Sequence, residues 1–241
     1  MSKNDIALSC TACSALAHSL LQHCSEGSLE QVGQSKRCNT FKKGQIMFFE
    51  GNNPLGIYCV RSGTIKLYKI GLGGKEQIVR LAKPGDLLGY RAVLAEETYA
   101  LSAAVLEDAT ACFIPRDEFV AALEQHPELY RQTLKSLCSE LGVMQERLQS
   151  MAQRSVRERL AGILLLLREN FEEQAVESGL EPEVIGVKLP REDLANLTGT
   201  STETVIRLLS EFQSDGFVKL EGKRIRLQNP DRLTRLAKMG Y

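Results

Sequence analysis

Seven cysteines give this 241-residue chain its strongest capacity for chemistry, and two of them form a pair near the amino terminus. Two residues separate Cys10 from Cys13, a spacing with which neighbouring thiolates chelate zinc or an iron–sulfur cluster. The surrounding segment predicts an unstructured arm, in which a cysteine has no core to fill. A thiol pair that senses oxidation is the competing interpretation. Cys59, within a predicted strand, and Cys138, on an apolar helical stripe, are expected in the core.

The composition is that of a globular protein, with 43% hydrophobic and 25% charged residues. The longest apolar run, residues 160–167, is too short for a membrane-spanning helix, which needs about 20 residues. Residues 1–5 carry no export signal. We therefore expect a cytoplasmic protein with no membrane partner and with reduced or metal-bound thiols. The motifs of phosphate-binding loops, zinc proteases and serine hydrolases are absent, so an enzyme is not expected.

Charge is distributed unevenly along the chain although the total is zero. Residues 186–241 contain ten basic and seven acidic side chains, a net charge of +3. An anionic partner is therefore expected to meet the C-terminal quarter. The acidic segment at 172–179 is predicted to be a solvated loop.

Two periodicities divide the rest of the chain. Residues 41–113 read as short strands separated by glycines, which is typical of a barrel or a double-sheet roll. From residue 116 the pattern becomes helical, with an apolar stripe on one long helix. Such a stripe packs either against a partner helix or against its own domain. Its members are Leu134, Leu137, Leu141, Met144, Leu148 and Met151.

A helix-turn-helix pattern follows residue 190. Ala195 and Gly199, four residues apart, supply the small contact residue and the corner that a tight turn requires. Thr200 and Glu203 have the spacing of a capping box at the start of the second helix. Its exposed N-terminal part, which would lie over base edges in a major groove, contains Ser201, Thr202, Glu203, Ile206 and Arg207.

Arg207 has the donors for bidentate contact with guanine, and Glu203 can accept from the amino group of cytosine. The alternatives are a phosphate or surface role for Arg207 and a purely capping role for Glu203. Residues 217–227 then predict a hairpin that turns at Glu221 and Gly222. Its basic side chains are placed to meet phosphates, and they are Lys223, Arg224 and Arg226.

The segment LPREDLANLTGTSTETVIRLLSEF at residues 189–212, joined to the upstream roll and long helix, resembles the CRP/FNR family of bacterial transcription regulators. The resemblance implies an α+β fold with a cyclic-nucleotide-binding-type β-roll, a long dimerisation helix and a C-terminal winged helix-turn-helix. The corresponding divisions are an arm and helix at 1–40, the roll at 41–125, the dimerisation helix at 126–153 and the DNA-binding domain at 154–241.

The resemblance also implies partners. Family members act as homodimers on palindromic promoter sites and contact RNA polymerase. Those with Glu-x-x-Ser-Arg on the recognition helix read a TGA core, and Glu203 and Arg207 match that motif while Ile206 replaces the serine. In iron–sulfur members an acidic residue weakens the dimer when the cluster is lost. Met144 stands near that position, so we expect a dimer that depends less on the cluster.

The sensed signal is predicted from two observations: the roll lacks the nucleotide-binding residues of the family, and some of the cysteines match those of iron–sulfur members. Cyclic-nucleotide binders of the family use a Glu and an Arg-Ser pair, but here Tyr90 stands at the Glu position and Leu101 precedes Ser102. No cyclic nucleotide is therefore expected, and the roll is interpreted as a scaffold. Iron–sulfur members hold a 4Fe-4S cluster with N-terminal cysteines and one late roll cysteine, which Cys112 matches.

The resemblance implies four ligands, Cys10, Cys13, Cys112 and either Cys38 or Cys24. Cys38 precedes the first roll strand, which usually lies beside the last strand and so near Cys112. Cys24 follows the pair, although family members place their third cysteine closer to it. The predicted function is a DNA-binding regulator that senses oxygen or redox state. The alternative is a metal-free regulator that senses a small molecule or thiol oxidation.

Overall fold

A computed structural model describes residues 9–238. The first five residues, on which the expectation of no export signal rests, lie outside this part. In the described residues, no helix is both long enough and apolar enough to cross a membrane. The chain forms two compact units. The first contains the chain up to Lys69 together with Val79–Leu141, and the second contains Ile70–Ile78 and the chain from Gly142 onward.

The first unit begins with an ordered arm. Two short 3-10 helices, Ser14–His18 and Leu20–His23, lead into helix α1, Glu26–Ser35. Ser25 caps α1 by accepting a hydrogen bond from the Ser28 amide. The prediction of an unstructured arm was wrong, because apolar side chains such as Leu21 are buried against the rest of the unit.

The roll is a six-stranded sheet in which β6 is central. The strand order is β1-β6-β3-β4, while β2 pairs with β6 and β5 pairs with β3. Two of the predicted strands, on either side of Gly63, are one kinked strand with register shifts. The strands are β1 Arg37–Phe41, β2 Ile46–Phe48, β3 Gly56–Ile70, β4 Glu76–Ala82, β5 Leu87–Leu88 and β6 Ser102–Pro115.

Three helices complete the roll and lead out of it. They are α2 Tyr90–Ala95, α3 Arg116–Gln125 and the 27-residue α4 Pro127–Gln153. Phe119 of α3 and Leu129 of α4 are fully buried in the core that also receives the arm. The apolar period thus produced the predicted long helix. Its first turns pack on the roll.

The second unit carries the helix-turn-helix. A capping box between Ser155 and Glu158 starts α5, and the predicted loop at 172–179 instead forms α6, whose Ala175 is fully buried. The remaining elements follow the predicted order of two helices and a hairpin. The bounds are α5 Val156–Asn170, α6 Glu172–Glu177, α7 Arg191–Thr198, α8 Thr202–Ser214, β7 Val218–Glu221, β8 Arg224–Leu227 and α9 Pro230–Lys238.

Candidate thiol site and nucleic-acid interface

Three cysteines stand side by side across the sheet. Cys112 on β6 is directly opposite Cys38 on β1 and directly opposite Cys59 on β3. Residues opposed in this way share one face of a sheet. Cys38 and Cys112 are joined by a disulfide, whereas Cys59 is a free thiol. The prediction that Cys38 lies beside Cys112 is therefore confirmed, but the covalent bond between them was not predicted.

The N-terminal arm covers the same face. Cys10 is buried in an apolar cluster against which Cys24 and Cys59 also pack. The Nζ of Lys36 donates to the Sγ of Cys10 at 3.1 Å. The Oγ of Ser19 lies 3.8 Å from the Sγ of Cys59. The arm thus brings its thiols towards the three-cysteine row.

Burial keeps two of these thiols protonated. It raises the pKa of Cys24 to about 11, and the nearby Cys10 adds to the shift. It raises the pKa of Cys59 to about 12, an effect that the Ser19 hydroxyl partly opposes. The thiolate is the form that binds metal. Burial therefore disfavours the thiolate of either group at neutral pH, and a nearby positive charge would favour it.

The sulfur positions do not form an assembled metal site. Among residues 9–238, no group of three or more His, Cys, Asp or Glu is arranged to hold a metal ion. The disulfide contributes to this, because both of its sulfurs are occupied. Cys13 is half-buried at the start of the first 3-10 helix. Cys138 is exposed on α4, so its assignment to the core was wrong.

Aromatic side chains fill the interior of the roll. The rings of Phe48 and Tyr99 stack with centroids 4.0 Å apart, and the rings of Phe48 and Tyr58 stack with centroids 5.9 Å apart. Tyr90, at the position where a nucleotide-binding Glu was expected, donates its hydroxyl to Glu140 at 2.9 Å. Arg80 also donates to Glu140, at 2.5 Å. Tyr90 and Arg80 of the roll are thus both hydrogen-bonded to Glu140 of helix α4.

The turn between α7 and α8 is built as the sequence predicts, with one difference. Gly199 adopts φ +74° at the end of α7, a conformation that favours glycine. The amide of Thr200 is then taken up by the carbonyl of Ala195. Helix α8 therefore starts one residue later than predicted, and the Oγ of Ser201 accepts from the Thr204 amide. The predicted capping box between Thr200 and Glu203 was wrong.

Four side chains of the second unit hold this turn through its backbone carbonyls. Arg159 donates to the carbonyls of residues 198 and 199, and Arg147 donates to that of residue 197 at 2.8 Å. Gln77 donates to the carbonyl of residue 196, and Lys75 donates to that of residue 200 at 2.8 Å. Carbonyls at a helix end have no partner within the helix. Side-chain donors here replace the missing partners.

Helix α8 presents one polar face to solvent. Val205, Leu208, Leu209 and Phe212 are buried, while the side chain of Ile206 is 50% exposed. Hydrogen bonds from its own backbone amide and from Ser201 hold the pKa of Glu203 below its usual value. Arg207 is exposed and pairs with Glu211 one turn later. Of the predicted base-reading residues, Thr202 is half-buried, and four are exposed: Ser201, Glu203, Ile206 and Arg207.

The predicted hairpin of β7 and β8 forms, but it turns at residues 222 and 223, one residue later than predicted, because Glu221 pairs with Arg224. Lys223 is exposed and Arg224 is half-buried. Arg226 forms ion pairs with Glu181 and Glu221, so its charge is already matched within the unit. Arg191, at the start of α7, donates to the carbonyl of residue 222 at 3.2 Å and ties the hairpin to the helix-turn-helix.

The apolar stripe of α4 is largely uncovered in a single chain. Leu148 is 73% exposed and Leu141 is 61% exposed. Leu137 departs from the pattern, because it packs partly against the core of the first unit. The other members of the stripe are also exposed, at 37–46%, and they are Leu134, Met144 and Met151. Positions 134, 141 and 148 recur every seven residues, as do 137, 144 and 151, which is the repeat of a coiled coil.

A β-roll, a long helix with an uncovered apolar seam, and a helix-turn-helix with a hairpin wing define a winged-helix DNA-binding protein. Family models agree with both parts. Residues 38–126 match a cyclic nucleotide-binding domain, and residues 158–236 match a Crp-like helix-turn-helix domain.

Curated relatives place the chain more narrowly. It is 31% identical over 226 residues to the regulatory protein HlyX of Actinobacillus pleuropneumoniae, covering 93% of this chain and 92% of that protein. It is 30% identical over 232 residues to the fumarate and nitrate reduction regulatory protein of Escherichia coli strain K12, covering 96% and 91%. The chain belongs to the CRP/FNR family of transcription regulators, which are DNA-binding proteins and not enzymes.

Solved structures share the fold. FixK2 from Bradyrhizobium japonicum superposes with a TM-score of 0.74 at 22% identity, covering 83% of this chain and 96% of that one. A CooA variant from Carboxydothermus hydrogenoformans gives 0.68 at 20% identity, covering 85% and 89%. These comparisons confirm the predicted fold class of roll, long helix and winged helix-turn-helix.

Proposed function

We propose that this regulator binds a palindromic promoter site as a homodimer and that helix α8 of each protomer reads a half-site with a TGA core. The exposed Glu203 and Arg207, on a helix whose opposite face is buried, carry the proposal. Lys223 and Arg224 of the wing, with Ser201 and Thr202, would supply phosphate or flanking contacts. Regulation would take place in the cytoplasm and involve RNA polymerase, as in the family.

Base selectivity tests this reading. Anisotropy titrations would compare a TGA palindrome with duplexes in which either the guanine or a neighbouring base pair is substituted in each half-site. Arg207→Ala should lose about 1–3 kcal/mol of discrimination, as expected for a bidentate base contact. Glu203→Ala should relax selectivity at a neighbouring position, whereas Gln213→Ala, at the far end of the same helix, should change neither. Unaltered discrimination in Arg207→Ala would exclude this mode of reading.

The seam of α4 supports the homodimer. Its apolar members would be buried between two copies, as in a coiled coil. Because Met144 is apolar, the pair should persist without a metal cluster. Native mass spectrometry of aerobic protein should therefore find dimers, and monomers would contradict this part of the proposal.

For sensing, we propose a 4Fe-4S cluster held by Cys10, Cys13, Cys112 and either Cys24 or Cys38. The residue types suit such a group, since thiolates are the usual ligands of these clusters, and Cys10 and Cys24 pack in the apolar cluster that also receives Cys59, the neighbour of Cys112. When bound, the cluster would supply reactivity towards oxygen. Cys112 can serve as a ligand only when it is not in the disulfide with Cys38, so two low-molecular-weight thiols would first have to reduce that bond by exchange, giving two protein thiols and one low-molecular-weight disulfide.

Anaerobic preparation tests the cluster. Protein made without air should contain about four iron and four sulfide per chain and absorb near 400 nm. Cys10→Ser, Cys13→Ser and Cys112→Ser should lose this content, while Cys138→Ser, which changes an exposed thiol on α4, should keep it. Comparing Cys24→Ser with Cys38→Ser would identify the fourth ligand. A colourless, iron-free protein that still switches its DNA binding would overturn the cluster proposal.

The Cys38–Cys112 disulfide favours a second candidate, a metal-free sensor of thiol oxidation. The two thiols would lose two electrons and two protons to a low-molecular-weight disulfide, which would be released as two thiols. In this case iron-free protein should change its DNA affinity when treated with oxidised glutathione. Cys38→Ser and Cys112→Ser should abolish that response.

A further inference from the structure

Arg207, the proposed guanine reader, is held by a carboxylate on its own helix. Its Nη1 donates to the Oε1 of Glu211 at 2.5 Å, one turn further along α8. The Arg207 side chain is 64% exposed and that of Glu211 is 38% exposed. An isolated, exposed pair at this spacing contributes little to stability. Its importance therefore depends on what holds Glu211.

Glu211 is fixed from a second helix. Its other oxygen, Oε2, accepts from the Nη1 of Arg157 on α5 at 2.7 Å. The Nη2 of Arg157 reaches Asp215 at 2.6 Å, and its guanidinium lies 4.9 Å from the centre of the Phe212 ring. Arg157 is thus restrained by an ion pair and an aromatic face. The carboxylate of Glu211 bridges two guanidinium groups, only one of which lies on the exposed part of α8.

This arrangement matters for base reading. A guanidinium has five N–H donors, and recognition of guanine requires two of them to meet O6 and N7 together. A long, unrestrained arginine loses rotamer freedom when it is ordered in this way, and it can equally bind any nearby phosphate. A fixed carboxylate on one edge of the guanidinium reduces both effects, because it limits the rotamers and partly neutralises the charge.

We infer that Glu211, anchored by Arg157, is a positioning residue that makes Arg207 selective for guanine. The inference rests on the proposed reading of the half-site by Arg207. It assigns to Glu211 an effect on discrimination between sequences rather than on overall affinity. Removal of its negative charge should leave binding to substituted sites unchanged or stronger, since the DNA backbone is anionic.

Asp215 offers a matched control. Both carboxylates bind Arg157, and Glu211 also pairs with Arg207. Titrations with the full-length dimer would use the palindrome and the duplex with both guanines substituted. Glu211→Ala should lower the ratio of affinities about tenfold, within the range of one bidentate base contact. Glu211→Gln should give an intermediate ratio, and Asp215→Ala should keep that of the wild type.

The outcomes separate this role from others. A wild-type ratio in Glu211→Ala, or equal gains in affinity for both duplexes, would overturn the inference, because Glu211 would then only stabilise the helix or sequester Arg207. An equal loss in Asp215→Ala would also overturn it. If Arg207→Ala itself keeps the wild-type ratio, the proposed reading fails. If Arg207→Ala loses selectivity while Glu211→Ala retains it, only the positioning role fails.

Discussion

The disulfide between Cys38 and Cys112 predicts a large dependence of stability on redox state. It closes a loop across a sequence separation of 74 residues, and both cysteines belong to the first compact unit. The entropy that such a crosslink removes from the unfolded chain corresponds to about 4 kcal/mol at 25 °C. We therefore expect the free energy of unfolding of the iron-free protein to be higher in the oxidised form than in the reduced form, by up to this amount.

Urea unfolding with and without reductant measures the effect. The chain has no tryptophan, but five of its six tyrosines lie in the first unit, so tyrosine fluorescence reports on that unit. Cys112→Ser should make stability insensitive to reductant. Cys59→Ser is the matched control, because it changes the other neighbour of Cys112 and should retain the full shift.

Each variant is compared with itself under two conditions, which removes the cost of placing serine at the buried position 112 or the half-buried position 59. The reasoning would be refuted if wild-type protein unfolds at the same urea concentration with and without reductant. It would also be refuted if Cys112→Ser keeps the reductant-dependent shift. Peptide mapping after alkylation would identify which cysteines are paired in each sample.

Three further substitutions test the fold. Gly186→Ala should destabilise the DNA-binding unit by about 1–3 kcal/mol in thermal unfolding, because a Cβ there would lie 2.3 Å from the carbonyl oxygen of Phe171; an unchanged melting temperature would contradict this close approach. Ser155→Ala should cost about 1 kcal/mol by removing the capping box with Glu158, and no loss of stability would mean that the cap is dispensable. Leu148→Glu should shift the proposed dimer towards monomer in sedimentation velocity, and an intact dimer would contradict a central role of Leu148 in the interface.

Local patterns predicted the elements of the DNA-binding unit well. The spacing of Ala195 and Gly199 and the apolar positions of α8 are properties of neighbouring residues, so they could be read from the sequence. The start of α8 was misplaced by one residue, because the Thr200 amide bonds to Ala195 across the turn. The side chains that hold the turn were missed, since Lys75 and Gln77 are more than a hundred residues away from it.

Long-range pairing decided what the sequence could not show. The residues around Gly63 suggested two strands, but continuous pairing with β6 joins them into β3. The cysteine row was only partly foreseen. The position of Cys38 beside Cys112 followed from the order of strands in similar rolls, whereas the place of Cys59 in the same row depends on the register of β3 against β6. Burial of the arm, including Cys10, depends on an apolar surface contributed by distant elements.

The side chains that support the helix-turn-helix donate to backbone carbonyl oxygens, and every amino acid has a backbone carbonyl oxygen. Arg147 and Arg159 would hold the turn at its present angle whatever side chains replaced those on the outward surface of α8. After gene duplication, substitutions on the outward surface of α8 can therefore change which operator is recognised, while the hydrogen bonds that hold the turn stay the same.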